Sequence, residues 1–477
     1  MKPIPLSILA VAHFLLASGS ARAQSPPPAP DKIALGDFLL APSLEIRMRA
    51  EYMNSPPDLG GSDPFGRQSP RVRDAWTASE RSRLGLGVER GILRAQLTLQ
   101  DARALGSGAP DATFAPASNA ARFGAYEAFL EVHDRGARPS YVRLGRQAVV
   151  WGEGRLLGDA DFSPMGRSLD AARAHYAAGN VDIEALAAVL EAPSPLGSSF
   201  SNTSGPSRSG VELYGALARW SAAPLFRIEA YALARISRSK GDNFDGSRFS
   251  ASRLSGETYT GALRIFGDAR GWDYAAEGAY QFGRANALAI GGADVSAWAA
   301  AAHIAKTLPE IALTPTLRIA GSYASGDDGS GSYHQFDPLL ADPQRFHGQM
   351  DLFAWSNAMD ASARVQIVPW AQTSFAVEYR YARLARTSGE WIGSYLTSLG
   401  RAAGSTGAGL GSEIDAAFTW RAATALDIRI GWSGLILGDG ARAIMSAEAR
   451  GTTEPGGTVT APTFAQYAYA QATLTVP

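Results

Sequence analysis

Apolar and polar residues alternate one by one along most of this chain. The pattern is clearest in residues 43–53, where apolar side chains alternate with charged ones: Leu44, Ile46, Met48, Ala50 and Tyr52 against Glu45, Arg47, Arg49 and Glu51. A period of two is that of a β-strand whose two faces meet different surroundings. Because the alternation recurs along the chain, it predicts a barrel with apolar side chains towards lipid and polar side chains towards an aqueous interior.

The alternation predicts about 18 strands. They are residues 43–53, 81–89, 92–102, 123–133, 140–150, 170–178, 180–190, 209–219, 225–235, 256–266, 272–282, 295–306, 313–324, 359–369, 373–384, 411–421, 425–436 and 462–476. The connections alternate in length, from the tight turn at residues 90–91 to the long loop at residues 325–358. Outer-membrane barrels have short periplasmic turns and long extracellular loops. We therefore predict an all-β fold, a transmembrane antiparallel β-barrel with both termini in the periplasm.

The N-terminal residues have the composition of a secretory signal. Lys2 precedes an apolar run, and Ala21-Arg22-Ala23 is a small-x-small cleavage site, so residues 1–23 are predicted to be a signal peptide. Residues 24–42 are predicted to form a Pro-rich periplasmic segment, and residues 43–477 the barrel. Elsewhere no run of about 20 apolar residues could form a transmembrane helix. We expect the protein in the bacterial outer membrane.

Composition narrows the function classes. The 44 basic and 45 acidic residues give a net charge of −1, which indicates no polyanion-binding surface, so no nucleic-acid partner is expected. The chain has no cysteine, which excludes disulfides, thiolate metal sites and lipoprotein acylation. The histidines have neither metal-ligand spacing nor a nucleophile motif beside them. We therefore predict no enzymatic activity, no metal and no cofactor.

A barrel of about 16 to 18 strands encloses an aqueous channel. The side chains predicted to face this channel carry the two charges in near balance. One interpretation is that they form cross-strand ion pairs that stabilise the wall. The other is that unpaired members line a charged path. The predicted pore residues on strands are Arg47, Arg49, Arg83, Arg143, Arg173, Arg364 and Arg429.

Two segments differ from ordinary strands and turns. Residues 141–171 read YVRLGRQAVVWGEGRLLGDADFSPMGRSLDA, and residues 325–357 read SGDDGSGSYHQFDPLLADPQRFHGQMDLFAWSN. With their strand-end GRQ, their later GRS-x-D and their Asp- and Phe-rich late element, they resemble the alginate-export family of outer-membrane proteins. The resemblance implies an 18-stranded monomeric barrel that passes a linear polysaccharide outward through an arginine-lined constriction, with long loops as gates.

By motif position, the resemblance places Arg146, Arg155, Arg167 and Asp170 at or near the constriction. Guanidinium groups suit such a filter because they bind carboxylates with two hydrogen bonds and do not deprotonate. Two roles are open for the loop aromatics: packing within the loop or the outer interface, and stacking on sugar rings. The loop candidates are Trp151, Asp327, Asp328, Phe336, Asp337, His347 and Asp351.

The sequence thus predicts an outer-membrane channel that exports a linear exopolysaccharide, alginate or a related glycan. The near-neutral lumen also suits a less acidic exopolysaccharide. The alternative is a substrate-selective porin for the uptake of small anionic solutes or oligosaccharides. The expected partners are the polysaccharide, outer-membrane lipid, and periplasmic and inner-membrane export or synthesis machinery.

Overall fold

The computed structural model describes residues 32–54, 74–106, 123–136, 138–191, 210–237, 255–286, 293–394, 398–402, 407–452 and 462–476. The predicted signal peptide and most of the Pro-rich segment lie outside the described residues. The strands are β1 (Ile33–Leu35), β2 (Phe38–Asn54), β3 (Asp74–Arg90), β4 (Leu93–Gly106), β5 (Phe123–His133), β6 (Tyr141–Gln147), β7 (Leu169–Ala178), β8 (Val181–Glu191), β9 (Val211–Ala223), β10 (Phe226–Ser237), β11 (Ser255–Ala269), β12 (Trp272–Asn286), β13 (Ala293–Thr307), β14 (Thr316–Ala324), β15 (Ala358–Ile367), β16 (Thr373–Leu384), β17 (Glu390–Ile392), β18 (Ser398–Arg401), β19 (Gly409–Ala423), β20 (Leu426–Leu437) and β21 (Phe464–Val476).

Eighteen of these strands close into one antiparallel barrel. Each barrel strand pairs with the next along the chain, and β21 pairs back with β2, with Leu44 opposite Val476. The short strand β1 extends β2, and β17 pairs with β18 outside the barrel. The predicted fold class is therefore confirmed, and the first and last barrel strands meet at the end where the short turns lie.

The strand bounds differ from the predicted bounds where the surroundings of the chain change. β3 begins at Asp74 rather than at residue 81. Residues 74–80 carry few large apolar side chains and so lack the alternation of a lipid-facing strand. β6 ends at Gln147 rather than at residue 150, because the chain leaves the wall there and turns into the lumen. Alternation thus identifies the membrane-facing part of each strand.

The outward face of the barrel is an apolar band. Large apolar side chains such as Leu84, Leu130 and Ile319 are exposed there, between groups of aromatic residues at both ends. Near the short turns these are Trp220, Trp272, Trp370 and Trp420, and near the long loops they are Trp76, Trp298, Trp432 and Phe464. Such belts mark the two interfaces of an outer-membrane barrel.

The long loops of the later strands form a small apolar core above the barrel rim. The helix α1 (Asp439–Thr452) packs there through Ile444, against Leu384, Trp391 and Leu437. No helix in the described part of the chain is long and apolar enough to cross a membrane. The core fixes one end of the loop that follows β14.

The two faces of β14 provide a test of the barrel. Ile319 is exposed on the outward face, whereas its neighbour Ala320 lies on the lumen side. We expect Ile319→Arg to lower the free energy of unfolding by about 2–4 kcal/mol, because a lipid-facing guanidinium is destabilising near the bilayer midplane. The measurement is urea unfolding in vesicles. The matched Ala320→Arg variant should lose much less unfolding free energy. Equal losses in the two variants would contradict the assigned faces.

Candidate functional site

Residues 148–168, the first inner loop, fold into the lumen. Trp151 is buried, and its indole N–H donates a hydrogen bond to Glu184 of β8. The ring lies on Gly215 of β9, where an added Cβ would come within 2.5 Å of it. Only a glycine leaves room for the indole at this point of the wall. The loop is therefore packed tightly against the β8–β9 side of the lumen.

Ten residues further along, Asp161 is bound by three arginines of the barrel wall. The distance from its carboxylate is 2.8 Å to Arg81 Nη2, 3.3 Å to Arg83 Nη1 and 3.7 Å to Arg47 Nη1. Burial alone would raise the pKa of Asp161, but the three guanidinium groups outweigh it and hold the pKa well below its ordinary value. The carboxylate is therefore charged whenever the loop is in place.

The same part of the wall also binds the backbone of the first inner loop. Arg47 donates hydrogen bonds to the carbonyl oxygens of Asp161 at 2.6 Å and of Ser163 at 2.8 Å. Arg49 donates to the carbonyl of Phe162 at 2.7 Å, and its guanidinium carbon lies 3.8 Å from the centre of the Phe162 ring. Two of the predicted pore arginines thus hold a loop instead of facing open water.

Residues 325–357, the second inner loop, join the first inside the barrel. Leu340 pairs with Leu157 in an isolated parallel β-bridge. Arg167 is buried and donates hydrogen bonds to the carbonyl oxygens of Gly158 at 2.8 Å and Ala341 at 3.2 Å. The predicted constriction residue Arg167 therefore holds the two loops together, and its described hydrogen bonds go to the backbone.

The second inner loop reaches the wall on two sides. Asp337 forms an ion pair of 2.7 Å with Arg235 of β10. Further along, the backbone N–H of Met350 donates to Glu413 of β19 at 2.9 Å. Since β10 and β19 lie far apart in the barrel order, the second inner loop crosses the lumen.

The aromatic side chains of the loops pack the loops themselves. Phe336 and Trp355 are 1% and 2% exposed, with ring centres 5.4 Å apart. The guanidinium carbon of Arg155 lies 4.0 Å from the centre of the Phe346 ring and 5.5 Å from that of Trp355. Of the two roles left open, packing therefore fits Phe336 and Trp355, and Trp151 is buried in the same way.

Most charged groups of the lumen wall are paired. Arg143 binds Glu131 on the neighbouring strand at 2.5 Å, and Arg173 binds Glu184 at 2.6 Å. Similar pairs join Arg219 to Glu229, Arg264 to Glu153 of the first inner loop, and Arg380 to Asp360. The interpretation as cross-strand ion pairs thus applies to the pairs between neighbouring strands, whereas Arg264 binds the first inner loop.

Four lumen-facing arginines differ from the rest. Within the described part of the chain, Arg94, Arg318, Arg364 and Arg429 make no ion pair within 4 Å. Arg318 and Arg364 lie directly opposite each other on β14 and β15, and Arg364 donates to the side chain of Gln366 at 2.9 Å. Like charges directly opposite are unfavourable unless an anion offsets them. These four residues are called the unpaired arginines below.

Arg146 and Asp170 do not line the pore, and this part of the prediction is wrong. They are opposite each other on β6 and β7, in one cross-strand row with the exposed Val189 of β8. Their neighbours Gln147 and Leu169 are buried on the lumen side, so the alternation turns Arg146 and Asp170 outward. There they form a two-hydrogen-bond ion pair at 2.8 and 2.7 Å.

The remaining loop candidates are dispersed. Asp327 is buried and accepts a hydrogen bond from the backbone of His334, whereas Asp328 is exposed and accepts one from Ser330. His347 lies 3.7 Å from Asp360 of the wall. The anchoring residues Glu153 and Asp161 were not predicted, although Asp159, Asp161 and Arg167 form a dense charged stretch that could have drawn attention to them.

Two carboxyl groups of the inner loops titrate near neutral pH. Burial raises the pKa of Asp351 to about 7. Burial and the nearby carboxylates of Asp342 and Asp161 raise the pKa of Asp159 to about 6. Both loops therefore bind protons more tightly when packed than a free aspartate does. Among the described residues, no group of three or more acidic or histidine side chains could hold a metal ion.

The closed barrel of 18 strands with loops inside it defines an outer-membrane channel. The family model for alginate export matches residues 42–452. Because this match covers most of the chain, the protein belongs to the alginate-export family of the bacterial outer membrane. No curated protein has a sequence that matches this chain.

Solved structures with the same fold include Occ porins. OccK9 (OpdG) of Pseudomonas aeruginosa is similar over 92% of this chain and 98% of its own, with a TM-score of 0.54 and 12% identity. OccAB2 of Acinetobacter baumannii covers 91% and 97% with a TM-score of 0.51 and 12% identity. OccK2 (OpdF) of P. aeruginosa, solved in complex with glucuronate, covers 92% and 98% with a TM-score of 0.51 and 12% identity. At this identity the likeness concerns the fold alone.

Asp161→Asn tests the anchor of the first inner loop. The change leaves Arg47, Arg81 and Arg83 without the carboxylate that they share, so we expect the loop to be released and the lumen to become more cationic. Single-channel recordings should show larger current fluctuations and a reversal potential shifted towards anions. The control Asp37→Asn removes an exposed ion pair with Arg90. Recordings of Asp161→Asn that match the wild type would refute the anchor.

The raised pKa values predict that the loops respond to pH. Asp351 and Asp159 hold protons in the packed loops that released loops lose, so their contribution to packing grows as the pH falls from about 7 to about 4. His347 of the second inner loop opposes them at acid pH, because burial lowers its pKa and a released imidazole binds the proton more tightly. With two carboxyl groups against one imidazole, current fluctuations should decrease between about pH 8 and about pH 5. Asp351→Asn, which stays neutral, should reduce this dependence, and the exposed control Asp328→Asn should keep it. An unchanged pH dependence in Asp351→Asn would contradict the assignment.

Proposed function

We propose that this channel exports a linear anionic exopolysaccharide, alginate or a related uronate-containing glycan, across the outer membrane. The observation that carries the proposal is the alginate-export family match over residues 42–452. The chain supplies the passage, and periplasmic and inner-membrane machinery supplies the polymer and the energy. The protein acts as a monomer, since one chain closes the whole barrel.

The inner loops set the width of the passage in this proposal. The second inner loop crosses from Arg235 to Glu413, and the bridge between Leu157 and Leu340 joins it to the first. A polymer needs a continuous path through the lumen, so the two loops separate when it passes. After the polymer has passed, the ion pairs of Asp161 and Asp337 with the wall return the two loops to their packed positions. The loops act as gates, and the barrel wall stays rigid.

The unpaired arginines supply the attraction for the polymer. Arg318 and Arg364 occupy directly opposite positions on β14 and β15, and Glu378 of β16 lies opposite Arg364. Glu378 carries one negative charge for two arginines, so a uronate carboxylate would offset the repulsion that remains. Arg94 and Arg429 offer further positive charge on other parts of the wall. Rings of arginine are a general means of anion selectivity in pores. Because the paired arginines are neutralised by acids of the wall, selectivity rests on these few positions.

Uptake of small anionic solutes is the second candidate. The close packing of the inner loops favours it, because a narrow gap between them suits monosaccharide acids better than a polymer. A single experiment distinguishes export from uptake. Long oligouronates should block the ion current of an exporter for measurable dwell times, whereas a small-solute porin should be blocked by monomeric acids only.

Deletion of the gene tests export directly. In a strain that makes the polymer, we expect deletion to leave the polymer in the periplasm and to abolish its secretion. A plasmid copy of the wild-type gene should restore secretion. Normal secretion by the deletion strain would exclude the proposed function.

The double variant Arg318→Gln/Arg364→Gln tests the filter. We expect the affinity of the pore for oligouronates, measured from current block, to fall about tenfold, which corresponds to roughly 1.4 kcal/mol. The reversal potential should shift towards cations. The control is Arg143→Gln/Arg173→Gln, in which the removed arginines are neutralised by Glu131 and Glu184. An equal loss in both double variants would show that the unpaired arginines have no special role.

A further inference from the structure

The outward surface of the barrel carries an apolar groove that the channel function does not use. Its volume is about 350 Å³, and side chains of four consecutive strands line it: Leu86 and Val88 of β3, Ala95 and Leu97 of β4, Leu130 of β5 and Leu144 of β6. The four leucines are exposed on the lipid-facing side of the wall. The groove therefore opens towards the bilayer.

The groove exists because small residues stand between large ones. Ala95 lies opposite Val88 on one side and Leu130 on the other. Ala128, which also lines the groove, lies opposite Leu97. Two missing side chains in neighbouring rows leave a depression in a surface of leucines. The depression is shallow and open towards the bilayer, so it suits a chain that lies along the wall.

The position of the groove along the strands selects the leaflet. Val88 lies near the end of β3 at Arg90, and Ala95 near the start of β4 at Leu93. Leu144 lies three residues after the start of β6 at Tyr141. All of these ends lead into short turns, which are periplasmic in outer-membrane barrels. The groove is therefore in the periplasmic half of the membrane, where the lipids are phospholipids.

A cation stands at the periplasmic mouth of the groove. Arg135, in the turn between β5 and β6, is exposed and makes no hydrogen bond or ion pair with any residue that the structure describes. Its Nη2 is 3.5 Å from the point that a Cβ on Gly91 would occupy. The backbone N–H of His133 donates to Ile92 at 2.9 Å and ties this turn to the β3–β4 turn. The guanidinium of Arg135 thus lies beside the β3–β4 turn, on the periplasmic side of Val88 and Ala95.

The other end of the groove is closed by a neutral ion pair. Arg146 lies directly opposite Ala128 and is bound to Asp170 by two hydrogen bonds. Because each charge has its partner there, the pair offers no net charge to a headgroup. The groove consequently has a cationic mouth towards the periplasm and a neutral polar limit towards the long loops.

We propose that the groove binds one acyl chain of a phospholipid of the periplasmic leaflet and that Arg135 binds its phosphate. The apolar lining matches a hydrocarbon chain, and the exposed guanidinium matches a phosphate, which accepts charge-assisted hydrogen bonds. A lipid of the outer leaflet carries its phosphates at the opposite end of the barrel. The bound lipid packs the β3–β6 part of the wall, from which the first inner loop begins.

Native mass spectrometry of the full chain in detergent tests the groove, with phosphatidylethanolamine as the probe. We expect the wild type to retain one lipid and Ala95→Phe, which fills the groove, to reduce the bound fraction about tenfold. The control Ala300→Phe makes the same change on the outward face of β13 and should retain the lipid. If Ala95→Phe does not reach the heat-modifiable folded form, Ala128→Leu fills the groove with a smaller side chain. Equal retention in the groove variant and the control would overturn the proposal.

The headgroup contact is tested separately. Arg135→Gln should also weaken retention, whereas Lys306→Gln, which removes a cation beside Trp272 at another short turn, should not. Preferential retention of lipid A, added as a second probe, would refute the assignment to the periplasmic leaflet. Ion conductance should be unchanged in Ala95→Phe and Arg135→Gln, so the outcome is independent of the export proposal.

Discussion

The arginines inside the barrel need neutralising partners, and this need determines where the inner loops lie. A guanidinium that turns inward from a strand is partly removed from water, and it stays there at low cost only if an anion or a carbonyl oxygen meets it. Arg47, Arg81 and Arg83 meet this condition through Asp161. The first inner loop is therefore part of the charge balance of the wall, and the second is attached to it through Arg167 and Leu340.

The period of two allowed the sequence to predict much more of the wall than of the site. It identified all 18 strands and placed Arg47, Arg49 and Arg364 on the lumen side. The same rule could have corrected the predicted position of Arg146. This residue follows the apolar Leu144 by two positions and so shares its outward face. The inner loops have no period, and their positions depend on partners distant in sequence, such as Asp161 with Arg81. No local pattern could therefore predict that they fold inward.

The pairing of charges also explains how a near-neutral lumen would select anions, as the proposed function requires. Where an arginine faces a glutamate on the next strand, as Arg143 faces Glu131, the two charges cancel and stabilise the wall. The channel would then depend on the few positions where this cancellation is missing. Family membership in alginate export and the position of the unpaired arginines together support the proposal of a negatively charged polymer.

We infer that the two inner loops close the proposed polymer path while they are joined at Leu157 and Leu340. The chain has no cysteine, so Leu157→Cys/Leu340→Cys introduces a single disulfide that joins the loops. The measurement is the passage of oligouronates through the channel in a bilayer, before and after reduction. We expect the oxidised channel to conduct small ions but to pass no oligouronate, and we expect reduction to restore passage. Equal passage in the oxidised and reduced channels would contradict this inference.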